Sequence, residues 1–167
     1  HFYTLCGEIL NQVTENPYLG LTRSQDLKWS THITQLTKKA NSTMAVLHRN
    51  LRNCTKDCRK IAYISLVRSL MDYGTIIWDP YIQKDVIKLE RVQRQVARFI
   101  TNDYKTRSEG CMTKMLQELD LPPLQDRRKS CRLVFLYKVV EGLVPAIPAK
   151  EFVEPARSKR KIKSWNR

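Results

Sequence analysis

The sequence predicts a mainly α-helical protein, in which short N-terminal β-strands precede a bundle of about five helices and a basic irregular tail. Three observations support this fold class. Short apolar segments separated by glycine and proline in residues 2–21 are typical of strands. From Ser30 onward, apolar residues recur at steps of three and four, which indicates amphipathic helices. Beyond Gly142, three prolines oppose regular structure, and six cations without an acid follow in residues 157–167.

The predicted strands cover residues 2–6, the neighbourhood of Ile9, Leu10 and Val13, and residues 18–21. Two or three strands of this length do not bury both of their faces by themselves. We therefore expect them to complete a sheet whose other strands this chain does not supply. The chain does not start with Met, and we interpret it as a fragment of a longer reading frame.

The first predicted helix covers residues 31–52, with Ser30 as its N-cap. Lys38 and Lys39 are among its basic residues, and Arg49 and Arg52 lie in its later half, where positive charge suits the helix dipole. Its apolar positions recur with helical spacing and should form the buried face: Ile33, Leu36, Ala40, Met44, Leu47 and Leu51.

A second helix should begin at Thr55, whose hydroxyl is suited to cap it, and Asp57 adds a favourable charge to its first turn. Gly74 is expected to stop or bend this helix, and the pair Asp79-Pro80 breaks the chain after it. Its predicted packing positions are Cys58, Ile61, Ala62, Leu66, Ser69, Leu70 and Tyr73.

The third predicted helix, residues 84–101, has the clearest pattern. Its apolar face consists of Val86, Leu89, Val92, Val96 and Phe99. A second face carries five cations at steps of four, three, three and four: Lys84, Lys88, Arg91, Arg94 and Arg98. Neighbouring like charges on a helix repel by a few tenths of a kcal/mol per pair, so a bound polyanion would stabilise this face. Contact with phosphates and plain hydration of the face both remain open.

A short fourth helix should follow Ser108 as its N-cap, with Met112, Met115, Leu116 and Leu119 buried. A fifth should cover residues 124–141, with Leu124, Cys131, Val134, Phe135 and Val139 directed inward. Four cations lie in its first half, at the end of the dipole that disfavours them: Arg127, Arg128, Lys129 and Arg132. A backbone phosphate or an acidic protein surface would explain this cluster.

Charge and composition restrict the class of protein. With 30 basic and 16 acidic side chains, the chain has a formal net charge of +14, which attracts polyanions, nucleic acid first. Its longest apolar run, residues 133–137, is too short to span a membrane. The five cysteines are odd in number and scattered, so we expect reduced thiols and an intracellular protein rather than a disulfide scaffold.

Candidate catalytic or metal-binding patterns are not evident in the sequence. A polymerase or nuclease needs clustered carboxylates for two metal ions, whereas Asp72, Asp79, Asp85 and Asp103 are far apart along the chain. The cysteine pair Cys54 and Cys58 does not have a common zinc spacing. We predict no catalytic residue, no metal site, no cofactor and no small-molecule substrate in this chain.

A series of short motifs resembles non-LTR (LINE-type) retrotransposon reverse transcriptases, especially the jockey-like group. The first motif is Tyr18-Leu19-Gly20-Leu21-Thr22. The order and spacing of the motifs match the pattern of this family over about residues 3–155. The others include Asp26-Leu27-Lys28-Trp29, Leu47-His48-Arg49-Asn50-Leu51, Leu66-Val67-Arg68-Ser69-Leu70-Met71-Asp72-Tyr73-Gly74, Trp78-Asp79-Pro80-Tyr81, Leu89-Glu90-Arg91-Val92-Gln93-Arg94-Gln95-Val96-Ala97-Arg98-Phe99-Ile100 and Leu124-Gln125-Asp126-Arg127-Arg128-Lys129. Pro17 departs from the family pattern, and nothing after Pro155 matches it.

The resemblance implies the part of such an enzyme that follows its catalytic palm. Residues 1–28 would be the end of the palm, 29–104 a thumb-like helical segment, 105–144 a C-terminal helical segment and 145–167 the basic irregular tail. Tyr18, Leu19 and Gly20 would lie near the element that grips the primer end. The palm and fingers, with the carboxylates that bind Mg²⁺, would lie upstream, and this chain alone is predicted to be inactive.

The resemblance also implies partners and a compartment. The template would be RNA and the primer DNA, held by their backbones, with no membrane partner and with nuclear localisation when the element integrates. The residues proposed to bind nucleic acid are Lys38, Lys39, Lys84, Lys88, Arg91, Arg94, Arg98, Arg127, Arg128, Lys129 and Arg132. Of the aromatic residues suited to stack on bases, Tyr104 stays a candidate, whereas core packing is favoured for Trp29 and Trp78. A non-functional retroelement relic and a helical protein-interaction module are the alternatives.

Overall fold

The computed structural model describes residues 3–9 and 11–152 of this 167-residue chain. It confirms a mainly helical fold with short N-terminal strands in two small antiparallel sheets. The described residues divide into two compact units, one up to residue 131 and one from residue 132 onward. The first unit contains the strands, the predicted thumb-like helices and the short helix after them. The predicted basic tail from residue 153 onward lies outside the described residues.

The elements follow the chain in the order strands, then helices. The strands are β1 (Thr4–Leu5), β2 (Glu8–Ile9), β3 (Glu15–Tyr18) and β4 (Leu21–Ser24). The helices are α1 (Ser30–Asn50), α2 (Lys56–Tyr63), α3 (Ser69–Asp72), α4 (Gln83–Thr101), α5 (Cys111–Glu118), α6 (Leu124–Val140) and α7 (Ala149–Phe152), and a π-helical turn, Ile64–Arg68, joins α2 to α3.

The four strands form two hairpins rather than one sheet. β1 pairs with β2, and β3 pairs with β4 with Tyr18 opposite Leu21. Leu19 and Gly20, at φ +47° and +79°, form the two-residue turn between β3 and β4, as a type I′ turn requires. The prediction of a strand over residues 18–21 was therefore wrong, because this segment is the turn that connects two strands. Pro17 fits inside β3 because its position, next to the closing pair, directs its missing N–H away from β4.

The core of the first unit lies between α1, α4 and the α2–α3 segment. The predicted apolar face of α4 is confirmed, since Leu89, Val92 and Val96 are buried together with the predicted face of α1. α1 and α4 run in the same direction. Ser30 and Asp85 meet at their N-terminal ends, and Arg59 contacts carbonyls at both C-terminal ends.

The buried face of α2 and α3 differs from the predicted one by about one position. Arg59, Tyr63, Val67 and Met71 are buried, whereas Ile61 and Leu66 are exposed. Both faces of this segment are apolar, so periodicity alone did not separate them. The π-helical turn keeps these buried residues four positions apart along the segment. The buried guanidinium of Arg59 is stabilised because carbonyl oxygens surround it and accept its hydrogen bonds.

Helix ends differ from the predictions at several positions. The Thr55 hydroxyl accepts the N–H of Cys58, as predicted for an N-cap. Ser30 does not cap α1, because its hydroxyl donates to Asp85 instead, and α5 follows Gly110 rather than being capped by the Ser108 side chain. The short helix α7 contradicts the prediction of irregular structure after Gly142, since a proline just before a first helical turn favours the turn.

Candidate nucleic-acid interface

Two rows of side chains run along α1 and α4 where these helices pack together, and we call the surface between the rows the α1–α4 groove. Thr34, Lys38, Asn41, Ala45 and His48 form the row on α1, at steps of four and three. The row on α4 has the same spacing and contains Lys84, Lys88, Arg91, Gln95 and Arg98. Contacts connect the rows at both ends, because Lys88 donates to Thr34 at 3.2 Å and a shared pocket joins the other ends. The groove therefore follows both helices for most of their length.

A buried carboxylate fixes the N-terminal end of this groove. Asp85 is 3% exposed, accepts the Ser30 hydroxyl, and forms an ion pair with Lys88 at 2.9 Å. Burial raises the pKa of Asp85, but the hydrogen bonds from Ser30 and Lys88 and the charges of Lys88 and Lys84 outweigh burial, so its pKa is lowered overall. The negative charge also lies at the positive ends of both helix dipoles, where it is favourable.

An arginine fixes the C-terminal end. The Arg59 guanidinium donates to the carbonyls of Leu51 at 3.1 Å, Arg52 at 2.6 Å and Phe99 at 3.1 Å. It also lies 5.4 Å from the centre of the Phe99 ring. The carbonyls at helix C-termini have no partner in their own helix, so one cation satisfies the ends of both α1 and α4. Asn102, at φ +56°, ends α4 in the left-handed conformation.

The cations predicted on α4 divide into two groups. Lys88 and Arg98 are half-buried and have internal partners: Lys88 pairs with Asp85, and Arg98 donates to the carbonyls of Asp103 and Thr106. Lys84, Arg91 and Arg94 are exposed, and none of the three forms an ion pair within the described part of the chain. These three cations are the ones available to a polyanion.

The two lysines predicted on α1 lie on different sides of it. Lys38 is exposed and belongs to the row that lines the groove. Lys39 is also exposed, but it lies about 100° further around the helix, and its charge acts on His32. We therefore keep Lys38 in the candidate interface and remove Lys39 from it.

The basic cluster at the start of α6 has an internal explanation that the sequence did not reveal. Arg127 pairs with Asp72 at 2.7 Å, and the pKa of Arg127 is raised by this hydrogen bond. Arg128 is 1% exposed and pairs with Asp79 at 3.3 Å. The prediction that both bind nucleic acid conflicts with these positions, because their side chains face carboxylates inside the first unit. Lys129 is exposed, and Arg132 is exposed in the second unit.

The residues predicted near a primer end form the β3–β4 turn. Tyr18 and Leu19 are exposed, and the Leu19 carbonyl accepts the Tyr73 hydroxyl at 2.9 Å. The φ of +79° at Gly20 favours glycine, and a Cβ there would come to 3.3 Å from the Tyr73 ring, so that ring would have to shift slightly. The turn is thereby held against the segment that follows α3.

His32 holds β4 to α1. Its Nδ1 accepts the backbone N–H of Thr22 at 3.3 Å, which requires a neutral ring with its proton on Nε2. The ring packs edge-on against Trp29 and Trp78, at 6.0 and 5.1 Å between centres. Burial, together with the charge of Lys39, lowers the pKa of His32. Trp78 is fully buried and Trp29 packs against the core, so the preference for core packing of both is confirmed.

Arg59, Asp85 and His48 are site residues that pattern analysis missed. Only the parallel packing of α1 with α4 brings Arg59 and Asp85 to the ends of both helices. A signal was available for Asp85, since an acid in the first turn of a helix is expected to be favourable. No local signal pointed to Arg59, because the carbonyls that it binds come from other segments.

Comparison with known proteins identifies no relative of this chain: no family model, no curated protein and no solved structure matches it. Within residues 3–9 and 11–152, no group of three or more His, Cys, Asp or Glu side chains is placed to hold a metal ion. In the same part of the chain, no helix combines the length and the apolar character needed to cross a membrane.

Proposed function

We propose that this chain binds the sugar–phosphate backbone of a template–primer duplex along the groove between α1 and α4. In this proposal the chain is the thumb-like part of a non-LTR reverse transcriptase, and the palm with its Mg²⁺-binding carboxylates lies upstream. One observation carries the proposal: Lys84 and Arg91 of the α4 row are exposed, and so is Arg94, which lies about 60° around the helix from Arg91, on a helix whose two ends are fixed by Asp85 and Arg59.

The dimensions of the row suit a nucleic-acid backbone. From Lys84 to Arg98 the helix rises about 21 Å, which corresponds to about six phosphates of one strand along a duplex axis. Lys38 adds a cation from the opposite side of the groove. A helix supported by a buried core keeps these charges in a fixed line, so ordering them costs little when a duplex binds.

This arrangement supports contact with phosphates more than recognition of bases. Lysine and arginine on a helix surface bind phosphates as charges, and such contacts carry no sequence information. A thumb that follows a growing duplex needs this property, because every sequence must pass. We therefore expect binding that is independent of sequence, steeply dependent on salt, and sensitive to the A-form-like shape of an RNA–DNA hybrid.

The first test replaces the three exposed cations together. Lys84→Gln, Arg91→Gln and Arg94→Gln in one variant should weaken binding to a blunt RNA–DNA hybrid, longer than the footprint, by roughly tenfold or more. The slope of log affinity against log salt should become less steep by about two to three units, because about 0.9 units are lost per phosphate contact. Fluorescence anisotropy over a salt series measures both quantities.

A matched control removes the same charge elsewhere. Lys56, Arg107 and Lys114 are exposed and lie outside the two rows, on α2, in the loop after α4 and on α5. Replacing all three with glutamine changes the net charge equally, so affinity should fall by less and the salt slope should change by less. Equal effects of the two triple variants would contradict the proposed groove, and no binding of the unaltered chain to any duplex would contradict the function.

A further inference from the structure

The groove ends in a pocket of about 390 Å³ between the C-terminal parts of α1 and α4. Its walls are Asn41, Ala45 and His48 from α1, Gln95 and Arg98 from α4, and Tyr104 from the loop after α4. This volume lies within the range of about 300–1,000 Å³ that small-molecule sites occupy. The last residues of both rows line this pocket, so a strand held along the rows would pass beside it.

Three aromatic rings form the apolar side of this pocket. Phe99 is buried at its base, and the His48 ring lies 5.4 Å from the Phe99 centre and 6.0 Å from the Tyr104 centre. His48 Nε2 and the Tyr104 hydroxyl are hydrogen-bonded at 2.8 Å, which fixes the direction of both rings. The Tyr104 side chain is nevertheless 46% exposed. A flat ligand can therefore stack on a ring that is already held in place.

Polar groups around the rings suit the edge of a nucleobase. The side-chain amides of Asn41 and Gln95 each offer a donor and an acceptor, and neither amide is hydrogen-bonded within residues 3–9 and 11–152. Arg98 is tied to the carbonyls of Asp103 and Thr106, so its guanidinium stays beside the pocket without closing it. Nucleobases combine a stacking face with donors and acceptors on their edges, which is the combination that this pocket offers.

We propose that this pocket binds one unpaired nucleobase at the end of a duplex that lies along the groove. The inference rests on the proposed function, because the cations of α4 bring the strand to the pocket. A base inside a duplex is covered on both faces by its neighbours, and a base at a blunt end is still held by its pairing partner, so an unpaired base is the one free to turn into the pocket and stack on Tyr104. The chain would thereby distinguish the junction between duplex and single strand from the duplex itself.

The experiment compares three ligands that share one RNA–DNA hybrid: a blunt end, a short single-stranded overhang, and the same overhang with abasic sites. The abasic overhang carries the same phosphates without bases. The overhang with bases should bind about tenfold more tightly than the abasic one, as expected for stacking of one base. A 2-aminopurine base in the overhang should lose fluorescence on binding. Equal affinity for the base-containing and abasic overhangs would overturn the inference.

Variants at Tyr104 separate stacking from a structural role. Tyr104→Leu should remove the preference for bases while the affinity for the blunt hybrid stays within about twofold, and Tyr104→Phe should keep most of the preference. Tyr81→Leu is the matched control, since Tyr81 is 72% exposed and precedes α4 at its other end, and it should change neither quantity. A Tyr104→Leu variant that keeps the preference for the overhang with bases would overturn the inference. If the unaltered chain did not bind any of the hybrids, that result would overturn the proposed function.

Discussion

His32 is the residue whose protonation state the fold constrains most directly. Its Nδ1 accepts an N–H from β4, and two tryptophan rings enclose it, so the folded chain favours the neutral ring. Burial and the charge of Lys39 lower its pKa below the ordinary value of 6.5. The unfolded chain therefore binds the proton more readily than the folded chain does. A strand is joined to a helix here through one uncharged imidazole.

The pH dependence of stability tests this role. Because the folded-state pKa lies below 6.5, the free energy of unfolding should be highest above pH 6.5 and should fall as the pH drops through the folded pKa. His32→Asn keeps an acceptor near the Nδ1 position and does not titrate, so its stability should change less over this range. Urea unfolding at several pH values measures the difference. His48→Asn is the control, and a decline that persists in the His32→Asn variant would assign the effect to other groups.

Residue roles were predictable from the sequence only where they depend on near neighbours. The hydroxyl of Thr55 caps α2 because its partner, the N–H of Cys58, is three residues away. Ser30 looked like the same kind of residue, yet it donates to Asp85, which is 55 residues later in the chain. Arg127 and Arg128 looked like a phosphate-binding cluster for the same reason, since their carboxylates come from a distant segment. Partners far along the chain are decided by packing, which a local pattern does not contain.

The parallel pairing of α1 with α4 explains why two single charges, Asp85 and Arg59, stabilise the fold more than the sequence suggests. α1 and α4 run in the same direction, so their partial positive ends lie together and their partial negative ends lie together, an arrangement that is unfavourable without compensation. Asp85 compensates the first pair of ends, and Arg59 compensates the second. The cations exposed on α4 therefore lie on a helix that is fixed at both ends, which is what binding a rigid duplex requires.

Removing Arg59 should separate the helix ends. Arg59→Met keeps most of the apolar stem but leaves three carbonyls without their donor, so we expect a loss of about 3 kcal/mol in the free energy of unfolding. For a chain of this size the melting temperature should fall by roughly 10 °C. Arg59→Lys should recover only part, because one ammonium does not reach three separated carbonyls. Circular dichroism melts measure the melting temperature and the stability of both variants. Arg49→Met alters an exposed arginine of α1 and should change stability by under about 0.5 kcal/mol, and an equal loss there would contradict the role of Arg59.

The elements themselves were predictable because helical periodicity is strong in this chain. The predicted span of α4 agrees with the structure to within one residue, and its five apolar positions are all buried. The face of α2 was not predictable, because apolar residues occur on both sides of it and a buried arginine stands among the true core positions. The β3–β4 hairpin was missed because Leu19 has a positive φ, which is uncommon for a branched apolar residue.

At the scale of the whole molecule, exposed apolar side chains occur on several elements, and two groups of them lie at the start of the chain and on α6. The N-terminal hairpins expose Tyr3, Leu5, Ile9, Val13, Tyr18 and Leu19, and the second half of α6 exposes Leu133, Val134, Leu136, Tyr137 and Val140. Exposed apolar patches are a common feature of surfaces that contact other proteins. In the proposed function, the hairpins adjoin a sheet that lies outside the chain. The apolar surface of the hairpins would give the proposed palm a place to pack, and it belongs to the same compact unit as the α1–α4 groove.

The proposal assigns duplex binding to this chain and chemistry to residues outside it, and these two assignments are separable. Asp72, Asp79 and Asp85 each pair with a cation that also belongs to the fold, and Asp103 accepts backbone N–H groups of its own loop. Carboxylates committed in this way, on four different segments, do not converge on a pair of metal ions.

The pure chain should therefore bind a primed RNA template yet add no nucleotide to the primer with either Mg²⁺ or Mn²⁺. A primer-extension gel measures this, with an unrelated active reverse transcriptase as the positive control for the template. Template-dependent extension that survives in the unaltered chain after repeated purification, and that disappears when Asp72 and Asp79 are both changed to asparagine in a variant that still folds, would show that the active site lies in this chain after all.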